Sequence, residues 1–142
     1  LDISDAAIQV ATINAAKYNT PVHFIVQDFL DQKFWETLDS YDIIISNPPY
    51  IAETEKNNMA NHVLAFEPHT ALFVPDNDAL LFYNAIANFG KSNLQLGGAI
   101  FVEINQALGI QTQDVFAQNK YKTILKKDLF ENDRMILALP NQ

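Results

Sequence analysis

Asn47, Pro48, Pro49 and Tyr50 are four consecutive residues whose types and order suit one kind of chemistry. They follow Asp42-Ile43-Ile44-Ile45-Ser46, an isoleucine run opened by a turn-type residue, which predicts a short, fully buried strand over residues 42–46. Neither proline can donate to a ladder, and each fixes its own φ near about −65°, so the strand must end there. Pro48 also drives Asn47 toward an extended conformation. The expectation is a stiff corner at the carboxyl end of a strand, with Asn47 and the neighbouring carbonyls facing outward. In open α/β sheets ligands bind at that edge.

A planar amino group is a poor nucleophile, because its lone pair is delocalised. Two fixed acceptors can hold both of its N–H bonds and turn the lone pair toward an electrophile. The side-chain oxygen of Asn47 and the backbone oxygen of Pro48 are such a pair, and the ring of Tyr50 can stack on the planar group. This is catalysis by positioning, with acceptors placed where positive charge develops on nitrogen. A proline-stiffened turn without chemistry is the competing reading, since short motifs also occur by chance.

The elements that must position this corner follow from the rest of the chain. Its 142 residues suggest one domain, and 49% hydrophobic and 11% aromatic residues suffice for a core. With no cysteine there is no disulfide framework and no thiolate chemistry. His23, His62 and His69 lack metal-ligand spacing and read as surface or loop residues, so no metal is expected. No apolar run approaches the ~20 residues of a membrane span and no signal peptide is visible, so the expectation is a soluble, cytoplasmic protein. Net charge is −8. A nucleic-acid binder usually presents a basic face, and this composition argues against one. The lysines Lys120, Lys122, Lys126 and Lys127 read as a solvated strand face.

Ser4 is a good N-cap, and Ala7, Ile8, Ala11, Ala15 and Tyr18 recur at helical spacing until Asn19-Thr20-Pro21 stops the helix. Residues 22–26 read as a buried strand, and residues 31–41 as a short helix or loop before the strand at residues 42–46. This alternation predicts a parallel sheet. Residues 51–70 read as a long functional loop with one helical turn over residues 59–64. A helix is expected over residues 79–89 with Gly90 as its C-cap, then a buried strand over residues 99–104 and a weaker amphipathic helix over residues 107–119. Residues 121–129 and 135–139 read as two strands pairing antiparallel at one side of the sheet. No glycine precedes Gly90, so the chain has no glycine-rich nucleotide loop before it. Asp2 nonetheless sits at a strand-to-helix turn, where dinucleotide-type folds place an acid on ribose hydroxyls.

Taken in order, Asp2-Ile3-Ser4, Asp28-Phe29, Ser46 to Ile51, Glu67-Pro68 with Ala71-Leu72, Glu103-Ile104 with Gln106, and Lys127-Asp128-Leu129 with Asp133-Arg134 resemble the HemK family over essentially the whole chain. Its members methylate the glutamine of the Gly-Gly-Gln motif in class I peptide chain release factors. Asn-Pro-Pro-Tyr alone is shared with enzymes that methylate amino groups of adenine or cytosine in DNA or RNA, which is the alternative activity.

The resemblance implies an α/β fold: a Rossmann-like class I methyltransferase sheet with a C-terminal antiparallel hairpin, truncated here so that the first strand and most of the second are lacking. It implies S-adenosylmethionine as the methyl donor, with no metal. By carry-over Asp2 matches the acid on the cofactor ribose. Asp28 and Phe29 match positions beside the adenine. Asn47, Pro48, Pro49 and Tyr50 match the substrate-amide clamp, with Asn47 also near the methionine end of the cofactor. Glu103 and Arg134 carry over only as family features, Arg134 being expected to pair with Asp133 or Asp128. The family's helical docking domain and glycine-rich loop precede the residues matched here. A single partial catalytic domain over residues 1–142 is therefore expected to bind S-adenosylmethionine poorly or not at all, and to be inactive by itself. It is also expected to expose the flank of the strand at residues 42–46 and to self-associate there.

Overall fold

Ser4 begins the first regular element. Its hydroxyl accepts from Ala7 N at 3.2 Å and caps helix α1 (Asp5–Lys17). Asp5 in the first turn and Lys17 in the last complement the helix dipole. Asn19 ends the helix in the left-handed region, with φ 51°. These details come from a computed structural model, which describes residues 1–59 and 66–141. The expected helical turn over residues 59–64 falls, apart from Met59, outside the described residues. The chain divides into two compact units, residues 1–38 and 39–142.

In the first unit the expected buried strand over residues 22–26 is not formed. Val22 and Val26 are exposed, and only an isolated parallel bridge joins Asp2 to Val26. The reason is the lack of a ladder. Asp2 N donates to Ile25 O at 3.1 Å and Gln27 N to Asp2 O at 3.0 Å, and these two bonds are the whole pairing among the described residues. A short helix α2 (Gln32–Trp35) follows, capped by Asp31, whose side chain accepts from Lys33 N. Trp35 is the buried residue of this unit. Its indole N–H donates to Phe29 O at 2.8 Å.

The second unit is built on a four-stranded sheet. Its strands are β1 (Tyr41–Ser46), β4 (Leu94–Glu103), β5 (Tyr121–Lys127) and β6 (Asp133–Pro140), in the order β1-β4-β6-β5. β1 runs parallel to β4, whereas β6 is antiparallel to both β4 and β5. The C-terminal hairpin thus lies at one side of the sheet, as its sequence predicts, with its second strand on the inside. One face carries Ile100, Val102, Ile136 and Ala138, all essentially inaccessible. Helices α4 (Leu81–Asn93) and α5 (Gly109–Gln118) pack with the sheet and with each other, and contribute Tyr83, Ile86, Phe89, Val115 and Phe116 to the core. Full burial of one such side chain is worth about 1.5–3 kcal/mol.

Three expectations are corrected here. β1 is not fully buried: Ile43 is 57% and Ile45 77% exposed. β1 has a ladder partner on one side only among the described residues, and these two side chains lie on the face opposite the core, so two of the three isoleucines are left open. Helix α4 starts at Leu81 rather than residue 79, after a turn in which Asp78 N donates to Pro75 O. Gly90 is not a C-cap, because α4 continues to Asn93. A Cβ at Gly90 would stand 2.5 Å from Tyr121 Oη and 2.6 Å from Ile100 Cδ1, so glycine here permits the close approach of helix to sheet. Gly97, at φ 82°, takes the left-handed conformation inside the irregular start of β4.

A two-stranded parallel ribbon completes this unit. It pairs β2 (Ile51–Ala52) with β3 (Phe73–Val74), the latter preceded by the short helix α3 (His69–Leu72). A 3-10 helix over Glu53–Asn58 follows β2.

Candidate active site

The carboxyl ends of the parallel strands β1 and β4 lie level with each other, Ser46 being paired with Val102. The corner after β1 therefore stands beside Glu103 and the turn after β4. Asn47 is exposed, Pro48 is buried, and Pro49 and Tyr50 are half-buried. The chain here is rigid for a chemical reason, since the buried Pro48 fixes φ and offers no donor that would need a partner.

Tyr50 is held at both ends. Its hydroxyl donates to Glu103 Oε1 at 2.8 Å, and its carbonyl accepts from Asn105 Nδ2 at 3.2 Å. Asn105 is buried, caps the 3-10 turn Gln106–Leu108 through Ala107 N at 3.0 Å, and approaches Glu55 Oε1 at 3.4 Å. Glu55 in turn accepts from Ala52 N at 3.0 Å. Farther along, Asp76 accepts from both the N–H and the hydroxyl of Thr54, at 2.8 and 2.9 Å. The segment that leaves the corner is thus tied at successive points.

Charge converges on the same end of the sheet. Met135, near the start of β6, is paired with Glu103, and Ile104 N donates to Arg134 O at 2.9 Å. Arg134 pairs with Asp128 at 3.3 Å, one of the two partners the sequence suggested, while Asp133 takes Lys127 at 3.2 Å. Burial pushes the Tyr50 hydroxyl above its ordinary range, and the hydrogen bond to the Glu103 carboxylate pushes it further, so the phenol is protonated and donating at neutral pH. Burial acts the same way on Tyr83, whose hydroxyl donates to Glu103 O at 3.3 Å. Burial also disfavours the charged form of Asp128, but the N–H groups of Asn132 and Phe130 and the Arg134 guanidinium outweigh it and hold its carboxyl below the usual range.

In residues 1–38 the bridge between Asp2 and Val26 places Asp2 beside the segment that leads into Asp28. Both acids are exposed. Each uses one oxygen locally, Asp2 Oδ1 accepting from Ser4 N at 2.8 Å and Asp28 Oδ1 from Leu30 N at 2.9 Å. Their second oxygens make no hydrogen bond among the described residues and can accept from hydroxyl or amino groups. The acceptor set fits a nucleoside: carboxylates steadied by their own backbone, with an aromatic ring next in sequence. That ring, Phe29, is half-buried and packs on Trp35 with centroids 5.5 Å apart.

The model of the methyltransferase small domain matches residues 1–73. The chain belongs to that family. A release factor glutamine methyltransferase from Flavobacterium psychrophilum is 42% identical over 137 residues, which are 96% of this chain and 47% of that protein. Its counterpart from Bacteroides thetaiotaomicron is 43% identical over 138 residues, 96% of this chain and 49% of that protein. The chain thus spans about half the length of the curated relatives it matches. In fold, it is similar to a solved ribosomal protein L11 methylase from Lactobacillus delbrueckii subsp. bulgaricus. The TM-score is 0.60 at 17% identity, with 96% of this chain and 53% of that chain covered.

Within this methyltransferase family chain, the structure groups Asn47, Pro48, Pro49 and Tyr50 with Glu103 in one unit, and Asp2, Asp28 and Phe29 in the other. Sequence reasoning missed Asn105 and Glu55. The signal for Asn105 was its place directly after the buried run of β4, where an amide needs partners. Glu55 had only the weak signal of an acid three residues beyond a strand. Among the described residues no group of three His, Cys, Asp or Glu side chains is placed to hold a metal ion. No helix there is long and apolar enough to cross a membrane.

Proposed function

We propose that the protein carrying this chain is cytoplasmic and methylates the side-chain amide nitrogen of the glutamine in the Gly-Gly-Gln motif of class I peptide chain release factors. S-adenosylmethionine is its methyl donor in this reading, and the 142 residues are part of one catalytic domain. The observation that carries it is the corner itself: an exposed Asn47 and a buried Pro48 at a strand end, with Tyr50 tied to Glu103, in a chain 42% identical to a release factor glutamine methyltransferase.

S-adenosylmethionine, when bound, supplies an electrophilic methyl group on a sulfonium centre. Asp2 would accept from its ribose hydroxyls and Asp28 from its adenine amino group, with Phe29 against the base. Asn47 Oδ1 and Pro48 O accept the two N–H bonds of the glutamine amide, which tilts the nitrogen lone pair out of conjugation. Pro49 keeps the corner stiff, and Tyr50 offers its ring to the amide plane. As the bond from nitrogen to the methyl carbon forms and the bond from that carbon to the donor sulfur breaks, the same two oxygens would stabilise the positive charge on nitrogen, and the surplus N–H proton would pass to bulk water at the exposed Asn47. By the family resemblance, Asn47 would also approach the methionine end of the donor.

The test is transfer of a labelled methyl group by the full-length protein to a class I release factor. Label on the wild-type factor and none on a factor with Gly-Gly-Ala in place of Gly-Gly-Gln is the expected result. Label on DNA or RNA, with none on the factor, would assign the corner to nucleobase methylation instead.

A further inference from the structure

Tyr50 is the member of the corner whose side chain is tied by a hydrogen bond among the described residues. The prolines set their own φ, but a tyrosine ring keeps its side-chain rotamers. A ring free to hop between rotamers would blur any planar group stacked on it. Two residues at the carboxyl end of β4, one in the strand and one just beyond it, remove that freedom. Glu103 accepts the phenol hydrogen at 2.8 Å. Asn105, 8% exposed, binds the carbonyl of Tyr50 at 3.2 Å and keeps its own oxygen engaged with Ala107 N at 3.0 Å. Arg134, next to the Met135 that pairs with Glu103 in the ladder, attracts the carboxylate electrostatically.

We infer that Glu103 and Asn105 are positioning residues for substrate. They lock Tyr50 by ring and by main chain, so that the acceptors of the corner and the stacking face hold one geometry. This rests on the methyl-transfer reading above for its consequence in turnover, but not for the locking itself. Neither residue touches the reacting atoms. Their effect passes through Tyr50, and a misplacement of about 1 Å in such a site can cost ~10²-fold in rate. The Glu103 side chain could instead serve only to stabilise the strand end. In that case its loss would act independently of the Tyr50 hydroxyl.

A double-mutant cycle in the full-length protein separates the two. Tyr50→Phe and Glu103→Ala should each lower kcat for glutamine methylation about tenfold, on the order expected for a loosened site, with KM for S-adenosylmethionine unchanged. The double variant should lose no more than the worse single, because both changes break one hydrogen bond. Glu103→Gln, which keeps an oxygen acceptor, should retain most of kcat. Losses that multiply in the double variant would overturn the inference. A second readout does not need turnover. With fluorine-labelled tyrosine, the Tyr50 resonance should report one restrained rotamer in the wild type, and averaging between rotamers in Glu103→Ala. An unchanged, restrained resonance in Glu103→Ala would also overturn it. A wild-type protein that methylates nothing, yet shows the restrained ring and its release, would defeat the methyl-transfer reading alone.

Discussion

At the scale of single residues, Gly90 shows how packing overrides propensity. Alanine in a helix interior is favoured over glycine by about 1 kcal/mol. At Gly90 the added methyl would stand 2.5 Å from Tyr121 Oη and 2.6 Å from Ile100 Cδ1, both in the packed core. Overpacking of that kind costs typically ~1–3 kcal/mol. Gly90→Ala should therefore lower Tm by several degrees, at roughly 2–4 °C per kcal/mol for a chain of this size, as calorimetry would read. A raised Tm would mean that the helix moves off the sheet at little cost. Sequence alone suggested a helix stop at this glycine, because a glycine near the end of an apolar repeat looks the same whether it caps the helix or admits a neighbour. Tyr50 was legible for the opposite reason: its motif is local. Its partners Glu103 and Asn105 lie 53 and 55 residues away, and no spacing rule links them.

The hairpin of β5 and β6 is the element most plainly written in the sequence. Two strand-forming runs flank a turn that Asp128 organises. Its turn depends on one acid. Asp128 Oδ1 accepts from Phe130 N at 2.8 Å and Asn132 N at 3.0 Å, and Oδ2 meets Arg134. A partly exposed ion pair adds little by itself, so the backbone bonds matter more. The folded carboxyl titrates below its ordinary value of 3.8. Its contribution is therefore complete above that pH and is lost as the pH falls through the lower, folded value. Denaturant titrations should show stability falling below about pH 4, with a shallower fall in Asp128→Asn. An equal fall in both proteins would assign the acid sensitivity elsewhere. The strand expected over residues 22–26 was illegible for a matching reason. Its β-rich residues are compatible with a ladder, but a ladder needs partners, and only Asp2 supplies one.

At the scale of the whole molecule, β1 carries the consequence. Its isoleucine run reads as core in sequence, yet Ile43 and Ile45 are open, and Phe101 beside Ile45 is 40% exposed. An apolar strand with one free edge is a template for pairing. The 142-residue chain should sediment with a concentration-dependent mass, and Ile45→Lys should return it to a monomer. A monomeric wild type at high concentration would show that the edge is protected. The antiparallel hairpin and the corner were readable because each is set by local periodicity and turn chemistry. The degree of burial was not, since it depends on which neighbours a strand finds.

The central claim is that the diproline corner holds a planar nitrogen by two oxygens. Its most direct measurement is the turnover number of Asn47→Ala in the full-length protein, acting on a release factor and measured beside a thermal unfolding curve. Loss of one such acceptor should reduce kcat by roughly 10²–10³-fold, the scale of a preorganised hydrogen-bonding group aimed at developing charge. Because Asn47 is exposed, the unfolding curve should be unchanged. Near-normal turnover in a folded Asn47→Ala protein would contradict the claim.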